Sequence, residues 1–349
     1  MSYEYERAVA AGNALRLHLN ENTAGCSPKV VAALQRLTPQ DLAIYPDYDT
    51  VIAACAKRLG VNPESLLLTN GLDDGILATA VCALKNSPAA EPFETIVVVP
   101  AFDMYAACAD AAGGRIVEVP LGREFVFPVT DVIGALTSRT RAIFLTNPNN
   151  PTGSVIPREA ILTIARAAPQ SLVFVDEAYA DFSGATLIGD REFASLPNVV
   201  VGRTFAKAYG LAGLRAGALV AAPETLAPLR RTVPPYTLNV AAAVALPAAF
   251  EDLDYYQWYL TQVRESRRLL CRALDRLGVK YWPSAANFVL ARFGADLDRV
   301  IAGLAGRQVA VRDRSGDPGC EGCARITTGV LEHTARCVEA LEEVLCDAA

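Results

Sequence analysis

The sequence predicts an α/β fold built on a mostly parallel sheet with helices on both faces. Seven short apolar runs follow one another between residues 66 and 221, and such runs are typical of buried parallel strands. Helical stretches separate several of these runs, which favours strand–helix–strand units. The predicted strands are 66–69, 95–99, 115–119, 142–146, 172–175, 199–201 and 216–221, and the predicted helices between them include 74–83, 104–112 and 158–167.

The chain length leaves room for a second, smaller domain beside this sheet, because 349 residues exceed what one core usually accommodates. We predict a large domain over residues 43–245, and a small α+β domain formed by residues 246–349 with residues 1–42. The elements predicted for the small domain and its N-terminal part are an arm (1–16), a short helix (29–37) capped by Ser27, a long helix (253–277) ended by Gly278, a strand (288–292), a helix (296–305) and a last helix after Thr334.

Composition and charge argue against several classes of function. The chain is 52% hydrophobic and 20% charged, as expected for a well-packed soluble protein. Its formal net charge of −6 disfavours a broad basic surface, and therefore nucleic-acid binding. The longest apolar stretch, near residues 240–250, is too short to span a bilayer, and residues 1–7 are too polar for a secretory signal. We expect a cytoplasmic protein that does not bind a membrane.

Nine cysteines are scattered along the chain, and only Cys320 and Cys323 form a close pair. One C-x-x-C pair is a weak zinc signal when no second pair accompanies it, and His333 lies ten residues further on without a fourth ligand. We therefore expect no metal site, and free buried thiols in a reducing compartment. A redox role for the pair is the alternative.

The most informative segment is residues 204–215, which read T-F-A-K-A-Y-G-L-A-G-L-R. Its lysine, Lys207, has alanine and glycine neighbours, so its amine can be desolvated and brought close to a flat ligand as a nucleophile. Thr204 offers a hydroxyl three positions before the lysine, and Arg215 offers a rigid guanidinium fork eight positions after it. The segment therefore predicts carbonyl chemistry on a phosphorylated ligand.

Two further motifs follow predicted strands. Residues 147–153, N-P-N-N-P-T-G, form a loop, and residues 176–179, D-E-A-Y, come at a carboxyl end, where open α/β sheets bind ligands. In this order, the three motifs resemble those of fold type I pyridoxal-phosphate aminotransferases, in the subgroup that includes histidinol-phosphate aminotransferase. The resemblance covers roughly residues 17–345 and includes segments 19–22, 45–47, 100–105, 286–288, 311–313 and 325–327.

The resemblance implies a fold type I transferase with a seven-stranded sheet, pyridoxal 5'-phosphate as the cofactor, and defined catalytic residues. Lys207 would carry the cofactor as an imine and shuttle a proton during the reaction. Asp176 would face the pyridine nitrogen and keep it protonated. Asn150 and Tyr179 would hydrogen-bond the ring hydroxyl, and Tyr105 would stack on the ring.

The resemblance also implies a site for the cofactor phosphate at the start of a predicted helix, where backbone N–H groups can bind an anion. The acidic side chains of Asp73 and Asp74 should point away from it. Tyr45 would reach the cofactor phosphate of the partner subunit, which implies a homodimer with shared active sites. The residues expected to bind the phosphate within one subunit are Gly71, Leu72, Asp73, Thr204 and Arg215.

Substrate recognition would depend on arginines. Arg325 would bind the acidic group of the amino donor and of the 2-oxo acid acceptor, Arg312 would add a second guanidinium for a phosphate, and Asn22 would also contact the substrate. This chain departs from the family in having Ala206 where serine is common, Leu72 where a small residue is common, and Ala24 where many members have a phenol aimed at the substrate phosphate.

Three functions remain open at this stage. The first is an aminotransferase that acts on histidinol phosphate or a related amino acid with 2-oxoglutarate. The second is an aminotransferase for aromatic or other amino acids, which the absence of a phenol at Ala24 makes more attractive. The third is a threonine-phosphate-type decarboxylase, which would release carbon dioxide. A non-enzymatic regulator is disfavoured, because the arm before Leu17 is too short for a DNA-binding domain.

Overall fold

The structure is a computed structural model that describes residues 14–88 and 90–346. Most of the arm predicted for residues 1–16 therefore lies outside the described residues. The strands are β1 (Leu15–Arg16), β2 (Leu66–Thr69), β3 (Glu94–Val99), β4 (Arg115–Pro120), β5 (Thr140–Thr146), β6 (Leu172–Asp176), β7 (Val199–Thr204), β8 (Gly217–Val220), β9 (Lys280–Tyr281), β10 (Phe288–Arg292), β11 (Val309–Ala310), β12 (Arg312–Asp313) and β13 (Cys323–Thr327).

The helices differ widely in length, and short 3₁₀ turns connect some of the elements. The helices are α1 (Pro28–Leu34), α2 (Pro39–Ala43), α3 (Asp49–Leu59), α4 (Leu72–Leu84), α5 (Met104–Ala111), α6 (Val129–Gly134), α7 (Arg158–Ala167), α8 (Ala180–Ser183), α9 (Pro223–Arg230), α10 (Val240–Phe250), α11 (Leu253–Arg276), α12 (Leu297–Gly306) and α13 (Leu331–Cys346). None of the helices in the described part combines the length and apolar character that crossing a bilayer requires.

The large sheet has seven strands in the order β2-β8-β7-β6-β5-β3-β4. Six of them run in one direction, and β8 is antiparallel to both of its neighbours. This arrangement confirms the predicted mostly parallel sheet. The central strands are apolar because helices cover both faces; every residue of β7, for example, is buried. The carboxyl ends of β5, β6 and β7 meet at one edge, which brings the three sequence motifs together.

The second sheet, in the order β12-β13-β10-β9, is antiparallel. Its core is formed with residues of α11, α12 and α13, and Leu15 and Leu17 are part of it. The N-terminal segment reaches this core because β1 pairs in parallel with β11. The division into domains at residues 43 and 245 stays a prediction. Helix α1 packs against α10, and it begins where the Ser27 side chain accepts a hydrogen bond from the Lys29 backbone N–H.

Candidate active site

A cavity of about 420 Å³ lies where the predicted motifs converge. Of the predicted site residues in the described part, Gly71, Asn22 and Tyr45 lie outside its lining. The predicted residues that line the cavity are Leu72, Asp73, Tyr105, Asn150, Asp176, Tyr179, Thr204, Lys207, Arg215, Arg312 and Arg325. The structure therefore gathers residues that are up to 253 positions apart in the chain, from Leu72 to Arg325, around one space.

Lys207 follows β7 and is half-buried at the cavity. Its Nζ donates a hydrogen bond to the backbone carbonyl of Leu19, at 3.1 Å. The N-terminal loop lies this close because Gly210 has no side chain: a Cβ built there would be 2.4 Å from the Gly25 carbonyl oxygen. The small residues around the lysine thus admit a second segment of backbone beside its amine.

Asp176 ends β6 and is 4% exposed. Its Oδ2 accepts a hydrogen bond from the Tyr105 hydroxyl at 2.7 Å, and its Oδ1 accepts one from the Ala178 backbone N–H at 2.9 Å. Burial raises the pKa of Asp176 to about 6, and these hydrogen bonds oppose the shift. Tyr105 is fully buried and stacks on Phe144, with 5.1 Å between the ring centroids. A buried carboxylate with few donors can hold a cationic partner tightly.

Arg325 joins the cavity to the N-terminal segment. Its Nη1 donates to Oδ1 of Asn150, and its Nη2 donates to the carbonyl of His18 at 2.6 Å. Burial lowers the pKa of Arg325 to about 10, and the neighbouring cations Arg314 and Arg312 act in the same direction. With two of its donors engaged, the guanidinium is fixed in orientation at the cavity.

Tyr179 lies beside this arginine and is almost fully buried. Its hydroxyl accepts a hydrogen bond from Asn20 Nδ2 at 2.9 Å, and its ring meets Phe288 edge-on. The Asn20 side chain also accepts from the Thr327 hydroxyl at 3.0 Å. Asn20 therefore fixes the phenol at the cavity, although it is not among the residues predicted from the sequence.

A cradle for an anion is formed at the start of α4, beside Arg215. Gly71 has a φ of +77°, and a Cβ on it would lie 2.7 Å from Nη2 of Arg215. Thr204 ends the neighbouring strand β7 and lines the same cavity. Backbone N–H groups at a helix start and a nearby guanidinium are together suited to a phosphate.

The expectation that Asp73 points away from this cradle is wrong. Its Oδ2 lies 2.6 Å from Arg215 Nη2, because this guanidinium is a cation within reach of the first turn of α4. Asp74 behaves as expected, since its carboxylate accepts from the Asn70 backbone N–H and the Thr237 hydroxyl. An anion in the cradle would therefore compete with Asp73 for Arg215.

The arginines predicted for the substrate lie on adjacent strands. Arg312 of β12 is directly opposite Arg325 of β13 in the antiparallel register. A third arginine, Arg314, also lines the cavity, although it is not among the residues predicted from the sequence. The R-x-R spacing of Arg312 and Arg314 could have indicated its position, because alternate residues of a strand face the same side.

Two predicted residues have other surroundings. Asn22 is buried outside the cavity lining, where its Nδ2 donates to the Ala208 carbonyl and its Oδ1 accepts from the Ala24 N–H. Tyr45 is 74% exposed and stacks on Tyr236, at 4.1 Å between centroids. Neither residue contributes a group to the cavity within this subunit.

The C-x-x-C pair is buried in a separate apolar cluster. Cys320 and Cys323 pack with Trp282, Leu290 and Phe125. Burial raises the pKa of the Cys320 thiol to about 12, so this sulfur is a poor nucleophile and metal ligand. Within residues 14–88 and 90–346, no group of three or more His, Cys, Asp or Glu side chains could hold a metal ion.

Comparison with known proteins places the chain in a family. The model of the family "Aminotransferase class I and II" matches residues 13–341. The histidinol-phosphate aminotransferase of Moorella thermoacetica is 34% identical, over 98% of this chain and 88% of the relative. Histidinol-phosphate aminotransferase 2 of Ralstonia nicotianae is 36% identical, over 98% of this chain and 92% of the relative.

A solved structure agrees with this placement. The histidinol-phosphate aminotransferase of Sinorhizobium meliloti, in complex with pyridoxal-5'-phosphate, superposes with a TM-score of 0.85. It is 25% identical in sequence, and the match covers 96% of this chain and 92% of that chain. The fold is therefore that of a known group of enzymes.

Proposed function

Because the chain belongs to the class I and II aminotransferase family, we propose that it moves an amino group between histidinol phosphate, or a related amino acid, and 2-oxoglutarate. It is a pyridoxal-phosphate-dependent aminotransferase. One observation carries the proposal for this chain: Lys207, Asp176 and Arg325 line a single cavity, so a nucleophile, a buried acid and an acid-binding cation are available to one substrate.

The residues of the cavity fit pyridoxal phosphate, which supplies an electron sink when bound. Lys207 would attach the cofactor, and Arg215, Thr204 and the backbone at the start of α4 would bind its phosphate. The fit is supported by Gly71, because any side chain there would push Arg215 out of the cradle. Ala206 also lines the cavity, and its methyl side chain offers no hydroxyl to the phosphate.

Asp176 would keep the ring nitrogen protonated. Its pKa of about 6 leaves the carboxylate charged at neutral pH, where it attracts a cationic N–H. The hydrogen bonds from Tyr105 and Ala178 fix its orientation. With Oδ1 of Asn150 engaged by Arg325, the amide NH₂ of Asn150 is the group that can donate to the ring hydroxyl, next to the Tyr179 phenol.

Lys207 would then act as an acid and base. With the cofactor supplying the electron sink, the Lys207 amine would accept the proton of the substrate carbon and return it. The Leu19 carbonyl, 3.1 Å from Nζ, provides a hydrogen-bond acceptor for this amine. The Arg325 guanidinium would hold the acidic end of the substrate during this transfer.

The proposed assembly is a homodimer with Tyr45 crossing the interface. The proposal is supported by the exposed, stacked rings of Tyr45 and Tyr236 and by the exposed side chains of Leu42 and Ile44 beside them. A patch of this kind is typical of an interface. All nine cysteines are free thiols, which supports a reducing compartment such as the cytoplasm.

The experiment uses Lys207→Ala, with Lys280→Ala as a matched control on the surface. Borohydride reduction of the wild-type holoenzyme, followed by peptide mapping, should label Lys207 alone. Lys207→Ala should fold, retain no borohydride-fixed cofactor and lose turnover, whereas Lys280→Ala should keep both. Cofactor fixed to any other lysine contradicts the assignment.

The substrate is tested with a panel of amine donors and 2-oxoglutarate, beside a carbon dioxide assay. We expect histidinol phosphate to be converted to its oxo product without carbon dioxide. Turnover of aromatic amino acids but not of histidinol phosphate would favour the second candidate, and release of carbon dioxide from a phosphorylated amino acid would favour the decarboxylase.

A further inference from the structure

Arg314 is a third arginine on the hairpin formed by β12 and β13. The other two, Arg312 and Arg325, are already assigned to the substrate. Its backbone N–H donates to the Cys323 carbonyl at 2.9 Å, which continues the pairing of β12 with β13. Because strand side chains alternate in direction, Arg312 and Arg314 face the same side, and both line the cavity with Arg325. Three guanidinium groups therefore approach one space from a single hairpin.

The side chain of Arg314 is buried but incompletely paired. It is 7% exposed, and its Nη2 lies 2.5 Å from Oδ2 of Asp317. Its Nε is buried without a hydrogen-bond partner among the described residues. A buried guanidinium with an unused donor is costly, so such a group is expected to have a ligand. Asp317 offsets part of the charge and holds the side chain against the cavity.

Arg325 has part of its hydrogen-bonding capacity already in use. Two of its donors are engaged by Asn150 and His18, and its Nε is buried without a partner in the described structure. A carboxylate has two acceptor oxygens, whereas a phosphate monoester has three and carries a charge of about −1.5 to −2. The phosphate therefore gains more from an additional guanidinium.

We propose that Arg314 is a specificity-determining residue, which binds the acidic group of the amine substrate and favours a phosphate monoester over a carboxylate. The inference rests on the proposed function, because it assigns the cavity to an acidic amine. It goes further because Arg314 is not among the residues that the resemblance assigns to the substrate. The competing explanation is that the Arg314–Asp317 pair only closes the turn between β12 and β13, since the Asp317 N–H donates to the Arg314 carbonyl at 3.0 Å.

The experiment measures binding rather than turnover, so that it does not depend on the natural donor. Propyl phosphate and butyrate, two amine-free acids, are titrated calorimetrically into the holoenzyme, whose own phosphate site is filled by the cofactor. The variants are Arg314→Gln and Arg314→Lys. The matched control is Arg299→Gln, which breaks an exposed pair with Asp296 outside the cavity lining. Cofactor absorbance and melting temperature report whether each variant is folded.

We expect Arg314→Gln to weaken propyl phosphate binding by about tenfold to a hundredfold and butyrate binding by less than about threefold, because charged hydrogen bonds to the extra oxygen are lost. Arg314→Lys, which keeps the charge without the fork, should fall between the wild type and Arg314→Gln. Arg299→Gln should change neither affinity. If both acids lose the same factor, or if neither changes, Arg314 has only the structural role and the inference is overturned.

The two proposals fail in different ways. If the wild type ignores histidinol phosphate but the loss of affinity in Arg314→Gln is confined to propyl phosphate, the donor assignment is wrong and Arg314 still selects a phosphorylated amine. If histidinol phosphate is turned over and Arg314→Gln binds propyl phosphate normally, the proposed function stands and the role of Arg314 is refuted. If Arg314→Gln does not fold, Arg314→Lys decides, because a loss of propyl phosphate affinity alone supports the inference and unchanged affinity overturns it.

Discussion

The cavity contains two groups of anion-binding residues that are constructed differently. The cradle at the start of α4 uses backbone N–H groups and Arg215, whose side chain is 46% exposed and paired with Asp73. The hairpin of β12 and β13 uses arginine side chains instead, and Arg325 and Arg314 are 6% and 7% exposed. The first site depends on the path of the backbone, and the second depends on cations held away from water.

This difference has consequences for binding. An exposed ion pair such as Arg215–Asp73 contributes little and is screened by salt, so an incoming phosphate can displace it easily. A buried guanidinium has lost its water, and the removal of one of its partners is strongly destabilising. The cradle should therefore tolerate changes of charge and fail with changes of backbone shape, whereas the hairpin should be sensitive both to the charge and to the hydrogen-bond geometry of its cations.

The largest effect is expected for Arg325→Lys. The ammonium keeps the charge, but it cannot bind Asn150, the His18 carbonyl and a substrate acid with the geometry of the guanidinium. We expect kcat/KM to fall by about 100- to 1,000-fold for both the amine and the oxo acid, since two charged hydrogen bonds are lost. Arg215→Lys is the comparison in the cradle and should cost about tenfold in cofactor affinity. If kcat/KM fell by the same factor in Arg325→Lys and Arg215→Lys, the distinction between the two sites would be lost.

A smaller effect is expected for Gly71→Ala. The Cβ would meet Arg215 Nη2 at 2.7 Å and displace it, so the dissociation constant of the cofactor should rise about tenfold. The control is Gly60→Ala, because Gly60 has a similar φ of +70° but nothing within 4 Å of the added Cβ. Gly60→Ala should lose about 1 kcal/mol of unfolding free energy, because Gly60 has left-handed helical angles. Gly71→Ala should lose more, about 1–3 kcal/mol, because Gly71 combines its positive φ with a ψ of 171°. Cofactor affinity that is unchanged in Gly71→Ala would show that the cradle does not depend on the position of Arg215.

The smallest effect is expected for Asp73→Asn. Removal of the carboxylate frees Arg215 for a phosphate, so cofactor affinity should increase about two- to fivefold at low ionic strength. The gain should disappear at 1 M salt, where an exposed pair is screened. Asp296→Asn removes another exposed pair, which lies outside the cavity lining, and should leave the affinity unchanged. A gain in cofactor affinity that persists at 1 M salt would mean that Arg215 and Asp73 do not form an exposed ion pair in solution.

Much of the fold could be predicted from hydrophobic periodicity. The helix at 158–167 and the strand at 288–292 have the predicted bounds, because apolar positions and turn residues mark both ends. Lys207, Asp176 and Arg325 could be predicted because each lies in a motif of several residues. The predicted small-domain helix at 296–305 differs by one residue at each end, which is within the usual uncertainty of helix ends.

The features that could not be predicted depend on contacts between distant segments. Helix α10 was not predicted, because it is apolar on all sides and contains Pro247, so it has no amphipathic pattern. Asn20 acts through its bond to Tyr179, 159 positions away. The direction of the Asp73 side chain depends on the position of Arg215, which no local pattern specifies.

The N-terminal segment also constrains how the protein can be made. Leu15 pairs with Val309, while the carbonyls of His18 and Leu19 accept from Arg325 and Lys207. During synthesis, the first strand leaves the ribosome long before its partner, a delay on the order of tens of seconds at ordinary elongation rates. Throughout that interval the lysine and its carbonyl acceptor cannot be held together by the second sheet and the helices that share its core. The active site is therefore completed late in synthesis and folding, although it includes residues that are synthesised early, such as Leu19.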